Sequence, residues 1–159
     1  SRGLGDVYKR QAWYSAVDQT LKEAGLDPAQ TVVLTDEKNF QALYPWYGFQ
    51  ALTSHYANPL GEFDRRNQAL EEWSEIRDPD ELVQAMDETP WRGPDAIVLR
   101  GEVETPDGED AAPLTLDIAD DIYPNNPNVV FRSLNFARSA FEGHWELNQV
   151  GPFVVAVRK

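Results

Sequence analysis

The chain contains no cysteine. Disulfides and thiolate metal sites are thereby excluded, while the redox compartment stays open, because a cysteine-free chain folds in either environment. Positive charge is scarce as well: 14 Lys and Arg against 27 Asp and Glu give a net charge of −13. Nucleic acid and anionic membrane surfaces would be repelled, so neither is a general partner. Long apolar runs are missing. The longest, Phe153 to Val157, falls far short of the ~20 residues that cross a bilayer. His55 and His144 are the only histidines, too few and too widely separated for a zinc motif. No glycine-rich phosphate loop, nucleophile elbow or dinucleotide fingerprint occurs. Acidic residues are so numerous that no spacing singles out a catalytic pair.

What is present suits a single soluble domain: 159 residues, 42% hydrophobic and 26% charged, ordinary values for a chain that buries a core. The start stands apart. Asp6 to Gln11 (DVYKRQ) reads as one translated frame of a transposase mosaic-end adapter. Ser1 to Gln11 is therefore expected to be read-through, disordered and without a packed role, and residues 12–159 to be the domain proper.

Trp13, Val17, Leu21 and Ala24 recur at helical steps before Gly25, which predicts a helix over Ala12 to Ala24. Thr31 to Leu34 is a β-branched run suited to a buried strand. Asp36, just past it, is placed either as a ligand-facing group at a strand's carboxyl end or as the cap of the next helix, the cap being favoured. Asn39 to about Leu52 is expected to be helical or loop-helical, broken near Pro45 and Gly48, so that the aromatic segment is an irregular surface and not a smooth rod. Asn58-Pro59 and Asp78-Pro79-Asp80-Glu81 are helix starts. Phe63, Leu70 and Trp73 would face the core from the first of these helices, with Arg65, Arg66, Glu71 and Glu72 outward. Leu82, Val83 and Met86 would form the apolar side of the second, which stops at Thr89-Pro90. Then the period changes to two. Strands are expected over Ile97 to Val103, Leu114 to Ile118, Val129 to Phe136, His144 to Val150 and Phe153 to Val157. A turn falls at Thr105 to Gly108, a proline- and asparagine-rich loop at Asp120 to Asn128, and a short helix or irregular link at Ala137 to Gly143. The order gives an α/β or α+β fold, a mixed β-sheet packed with several helices.

Two stretches carry the candidate chemistry. Leu43 to Arg66 interleaves Tyr44, Trp46, Tyr47, Phe49 and Tyr56 with Gln50, His55 and Asn58, then adds Asp64, Arg65 and Arg66. Aromatics at such spacing serve as core packing; their polar neighbours point to a surface that handles sugars. Asp120 to Asn128 is stiffened by two prolines and offers Asn125 and Asn126 as paired donors and acceptors beside Tyr123. Asparagines also form turns on their own account. Asp120 and Asp121 make a poor metal site, because neighbouring side chains on an extended segment point opposite ways.

Tyr44 to Arg66 (YPWYGFQALTSHYANPLGEFDRR), Asp121 to Val129 (DIYPNNPNV) and Val150 to Val157 (VGPFVVAV) together resemble the C-terminal domain of the galactan arabinofuranosyltransferases of mycobacteria and corynebacteria. The resemblance implies a multi-pass plasma-membrane enzyme of the GT-C class, this domain lying on its extracytoplasmic face. It implies transfer of arabinofuranose from decaprenyl-phosphoryl-arabinose to cell-wall galactan, with the catalytic carboxylate in a loop outside this chain. The partners implied are the galactan acceptor, the polyprenyl-phosphate donor and the enzyme's own transmembrane part. The sequence assigns no cofactor; a divalent cation, where one is used, would be held by the part outside this chain. On this reading the domain shapes the substrate cleft and is not itself catalytic. Tyr44, Trp46 and Tyr47 would stack on sugar, while His55, Tyr56, Asn58, Tyr123, Asn125 and Asn126 would read hydroxyls. Arg65, with Arg66, would meet the donor phosphate or else serve as solvated helix charges, the latter being favoured. A stand-alone glycan-binding module and a structural domain docking on its own membrane helices are the alternatives. An upstream reading frame with repeated apolar spans of ~20 residues would support the enzyme part or the docking domain, and a signal peptide with no further spans the stand-alone module.

Overall fold

The computed structural model describes residues 4–49, 59–104, 112–119 and 131–159. Among the described residues, five α-helices run over Leu4–Gln11 (α1), Tyr14–Glu23 (α2), Lys38–Leu43 (α3), Pro59–Glu75 (α4) and Pro79–Asp87 (α5), with a 3-10 helix at Arg138–Phe141. Seven strands run over Val32–Thr35 (β1), Tyr47–Gly48 (β2), Ala96–Arg100 (β3), Leu114–Ala119 (β4), Phe131–Phe136 (β5), Trp145–Val150 (β6) and Phe153–Arg158 (β7). The sheet is mixed: β1 is parallel to β2 and β3, and the remaining pairs are antiparallel. The expected α+β architecture is observed. Among the described residues, no helix is long and apolar enough to cross a membrane.

Local chemistry accounts for most of the boundaries. Asp78 Oδ1 accepts from the Asp80 amide at 3.1 Å, and Pro79 opens α5 with its missing N–H where none is needed. Thr89 Oγ1 closes that helix on the Met86 carbonyl. The β6–β7 hairpin turns at Gly151, whose φ is +57°. Trp13 lies over this turn, and a Cβ at Gly151 would come within 2.3 Å of its indole, so glycine is required twice over.

The two faces of the sheet bury different clusters. On one face Leu70 and Trp73 of α4 and Leu82 and Met86 of α5 pack with Leu34, Ile97, Leu116, Leu134 and Ala156. On the other, Val17 and Leu21 of α2 and Phe40 of α3 pack with Val33, Val98, Phe153 and Val155. Alternation along β3 supplies both: Ile97 and Leu99 face α4 and α5, while Ala96 and Val98 face α2 and α3. Truncating a side chain as deep as Trp73, 1% exposed, would cost about 3–5 kcal/mol.

The sheet forks at β3. β7 runs along one edge of β3 from Ala96 to Arg100, so β1 and β4 must share the other edge. β1 takes Ala96 to Val98 and β4 meets β3 at Arg100 alone. Beyond that point the β4–β5 ribbon diverges from β1, and the gap between them is filled by polar side chains.

Several expectations need correction. β2 falls in a stretch expected to be helical or loop-helical and irregular; it is a two-residue parallel strand, too short to leave a periodic signal and fixed by pairing with β1. Arg66 was expected to face outward but is 3% exposed. Its guanidinium carbon lies 5.6 Å from the Phe49 ring centroid and 5.2 Å from that of Trp91, and NH1 donates to the Phe49 carbonyl. A cation thus sits in the interior between two rings. β3 ends at Arg100, short of Val103, because Gly101 turns the chain with φ +140°. Leu4–Gln11, expected to be disordered, is helical, and Arg10 Nε donates to Glu37 Oε1 at 2.9 Å. None of the described side chains of α1 joins either apolar cluster. The expected turn at Thr105 to Gly108, the loop at Asp120 to Asn128 and the Asn58 cap lie outside the described residues.

Candidate functional site at the fork of the sheet

Arg100, the last residue of β3, stands where β1 and β4 part. Its NH2 donates to Asp36 Oδ1 at 2.7 Å and to Glu37 Oε2 at 3.0 Å, and its NH1 donates to Asp117 Oδ2 at 2.8 Å. Asp36 Oδ2 accepts the Asp117 backbone N–H at 2.6 Å. Ser133 Oγ donates to the second oxygen of Asp117, and Tyr14 OH donates to Glu37 Oε1 at 3.3 Å. Asp36 therefore caps nothing. Glu37 is the residue before α3 and makes no side-chain cap, while Asp36 bridges β1 to β4 beyond the carboxyl end of its strand. The favoured cap is not formed; the carboxylate lies beyond the strand's end, with its oxygens taken by Arg100 and the Asp117 amide.

Three carboxylates around one guanidinium leave an excess of negative charge in a poorly hydrated place. Burial pushes the Asp36 carboxyl up to about 6, against the pull of Arg100 and the Asp117 amide. Burial also penalises the Arg100 cation, but Asp36, Asp117 and Glu37 outweigh it and hold the group above its ordinary value. Burial and the neighbouring Glu37 carboxylate push the Tyr14 phenol up to about 12. Among the described residues no group of His, Cys, Asp and Glu is arranged to hold a metal. At the fork the carboxylates converge on a guanidinium.

The ribbon beyond the fork presents a polar face. Thr115 pairs with Asn135, Asp117 with Ser133 and Ala119 with Phe131. Ser133, Asn135 and Phe131 are exposed, Phe131 by 54%. Lys38 Nζ lies 5.6 Å from the Phe131 centroid, which brings the start of α3 to the start of β5.

The stems of the two stretches singled out in the sequence meet at α4. Arg66 donates to the carbonyl of Phe49, and Asn67, the next residue, donates through Nδ2 to the carbonyl of Ala119 at 2.6 Å. Phe49 is the last described residue before 50–58, and Ala119 the last before 120–130.

The candidate sugar-binding residues divide accordingly. Tyr47 is 49% exposed on the edge strand. Tyr44 is half-buried, with its ring stacked on Phe40 at 4.9 Å, so one face is already used. Trp46 has no free face. It is 5% exposed, and its Nε1 donates to the buried Asp18 carboxylate at 2.8 Å. Aromatic spacing alone does not separate such a core ring from a platform. Arg65 is exposed, whereas its neighbour Arg66 belongs to the interior. His55, Tyr56, Asn58, Tyr123, Asn125 and Asn126 lie outside the described residues.

Sequence reasoning missed Arg100, Asp117, Ser133 and Asn135. The alternation of Leu114 to Ile118 already puts Thr115 and Asp117 on one face, but which face stays uncovered is a matter of helix placement. A shallow cleft of about 390 Å³ lies elsewhere, lined by Glu102, Val103, Glu104, Leu147, Gln149 and Gly151. The Gln149 amide there is spent on backbone, accepting from Val103 N and donating to the carbonyls of Gly101, Gly151 and Phe153. This makes it a clamp on the chain and not a reader of ligand.

Comparison with known proteins agrees over nearly the whole chain. The family model described as Arabinofuranosyltransferase A C terminal matches residues 2–158. A galactan 5-O-arabinofuranosyltransferase of Corynebacterium glutamicum is 44% identical over 157 residues, covering 94% of this chain and 23% of the relative. Proteins of the same name from Mycolicibacterium smegmatis and Mycobacterium tuberculosis are 41% and 36% identical, again over 94% of this chain and over 23% and 22% of their own lengths. The chain thus spans less than a quarter of the length of these relatives.

Proposed function

Because this chain belongs to the Arabinofuranosyltransferase A C-terminal family, we propose that it is the C-terminal part of a larger enzyme that transfers arabinofuranose to galactan in building arabinogalactan. In this reading decaprenyl-phosphoryl-arabinose is the donor and the domain lies on the extracytoplasmic face beside the enzyme's own transmembrane part. It shapes the substrate cleft, and the catalytic group belongs to the rest of the enzyme.

The observation that carries the reading is the joint tether at α4: Arg66 and Asn67 hold the stems from which 50–58 and 120–130 depart. Both stretches mix aromatic and amide side chains, the pairing that sugar C–H faces and hydroxyls require. Tyr47, Tyr56, Tyr123, Asn125 and Asn126 are the groups proposed to contact substrate, with Tyr44, His55, Asn58 and Arg65 beside them. The length of the relatives favours a part of a larger enzyme over a stand-alone glycan-binding module.

The test is transfer by the full-length enzyme carrying both Tyr56→Phe and Asn126→Ala. If these groups face substrate, stability stays unchanged and the rate falls about tenfold for each 1.4 kcal/mol of lost transition-state binding. A normal rate at unchanged stability would sink the proposed cleft. The isolated chain is expected to transfer no sugar. Turnover by it, abolished by a point change within it, would show that the catalytic group lies here after all.

A further inference from the structure

We propose that the uncovered face of the β4–β5 ribbon is a binding ledge for a neutral polyhydroxylated chain, the galactan acceptor, and not for the phosphate-bearing donor. This rests on the cleft reading above and narrows it to one of the two substrates and to one face.

The ledge follows from strand alternation. Leu114, Leu116, Ile118, Leu134 and Phe136 point into the core under α4. Thr115, Asp117, Ser133, Asn135 and Phe131 must then share the opposite face. The cluster under α2 and α3 contains no residue of β4 or β5, so among the described residues the apolar sides of those helices do not pack on the ribbon, and Lys38 alone of α3 reaches it, at Phe131. From Phe131 to Asn135 the ledge runs about 14 Å by strand rise. Along it lie two hydroxyls, an amide and a carboxylate, with an aromatic ring 54% exposed at the end next to residues 120–130. A solvated polar face is ordinary for an antiparallel pair; an exposed phenylalanine in register with it is less so, and offers the flat apolar surface that a sugar ring covers.

Charge selects the occupant. A phosphate is held by arginine forks or oriented N–H groups, and the guanidiniums near this face are committed. Arg100 is shared among Asp36, Glu37 and Asp117, and Arg132 grips Glu71 with both terminal nitrogens at 3.0 and 2.9 Å. Lys38 brings a single ammonium over Phe131, and it directly follows Asp36 and Glu37 in the chain. In a chain of net charge −13 that ammonium does not offset the repulsion of a phosphate. A neutral polyol meets no such barrier, and its hydroxyls can donate to the Thr115 and Ser133 hydroxyl oxygens and exchange hydrogen bonds with the Asn135 amide.

Titration of the 159-residue chain, followed by amide NMR, decides the matter with two probes: a galactan oligosaccharide and a short prenyl phosphate. The oligosaccharide is expected to shift Thr115, Asp117, Ser133 and Asn135, and the prenyl phosphate to leave them still. Phe131→Ala and Asn135→Ala, both at exposed positions, should each weaken oligosaccharide binding by about tenfold, with dispersed spectra confirming the fold. Shifts confined to residues 44–66 and 121–129 would overturn the ledge and leave the cleft reading standing. Ledge shifts caused by prenyl phosphate would overturn the selection of a neutral ligand. No shift anywhere would overturn the ledge, and only a normal transfer rate in the Tyr56→Phe, Asn126→Ala enzyme would remove the cleft reading with it.

Discussion

Arg66 and Asn67 are consecutive in α4, yet each fastens a different part of the chain: Arg66 the carbonyl of Phe49, Asn67 that of Ala119. One helical turn thereby sets the separation of two stems that sequence distance leaves free. Replacing Asn67 by Ala strips the Ala119 carbonyl of its donor and should cost about 1–2 kcal/mol, read from denaturant midpoints. Transfer by the full-length enzyme should fall further than in a core variant of equal destabilisation, such as Val155→Ala. Equal activity in the two would mean that stem placement does not matter to the cleft.

Asp36 makes stability depend on pH with an unusual sign. Its carboxyl titrates at about 6 when folded, against 3.8 as an ordinary aspartate. Between these values the folded state holds a proton that the unfolded state has lost. The contribution of Asp36 is therefore complete below about pH 4 and is lost as pH rises through 6. Asp36→Asn cannot ionise. Its stability relative to the parent should climb between pH 4 and 7 by on the order of 3 kcal/mol. A flat difference across that range would show that the fork is better hydrated than its geometry implies.

Trp46 separates packing from recognition within the aromatic stretch. Trp46→Phe keeps most of the buried ring and removes the donor to Asp18, which retains Lys22 at 2.9 Å. The expected cost is about 1–3 kcal/mol of stability, with the KM values of the full-length enzyme unchanged at a temperature where it stays folded. A raised KM would return Trp46 to the substrate surface.

Among the described residues of α1, Arg10 reaches Glu37, and Glu37 keeps Arg100 and Tyr14 without it. Deleting Ser1 to Gln11 should change stability by no more than about 0.5 kcal/mol. A fall of several degrees in Tm would show that α1 is an integral helix of the domain.

The sequence alone determined what depends on neighbours in the chain. The Asp78-Pro79 start of α5, the helical spacing of Val17 and Leu21, the alternation of β4 and the continuous apolar run of β7 are local signals, and the elements stand where those signals put them. The aromatic stretch was legible as chemistry but not as placement, since Trp46 and Tyr47 are adjacent and one is buried while the other is exposed. The tertiary structure decided the rest. β2 exists through its pairing with β1, and Arg66 is interior because Phe49 and Trp91 enclose it. The fork forms because β7 occupies one whole edge of β3, so that β1 and β4 divide the other and Arg100 must satisfy carboxylates from both sides of the gap. No local pattern carries that information. It arises where segments distant in sequence compete for the same strand edge, and the charges they bring there must be neutralised out of water.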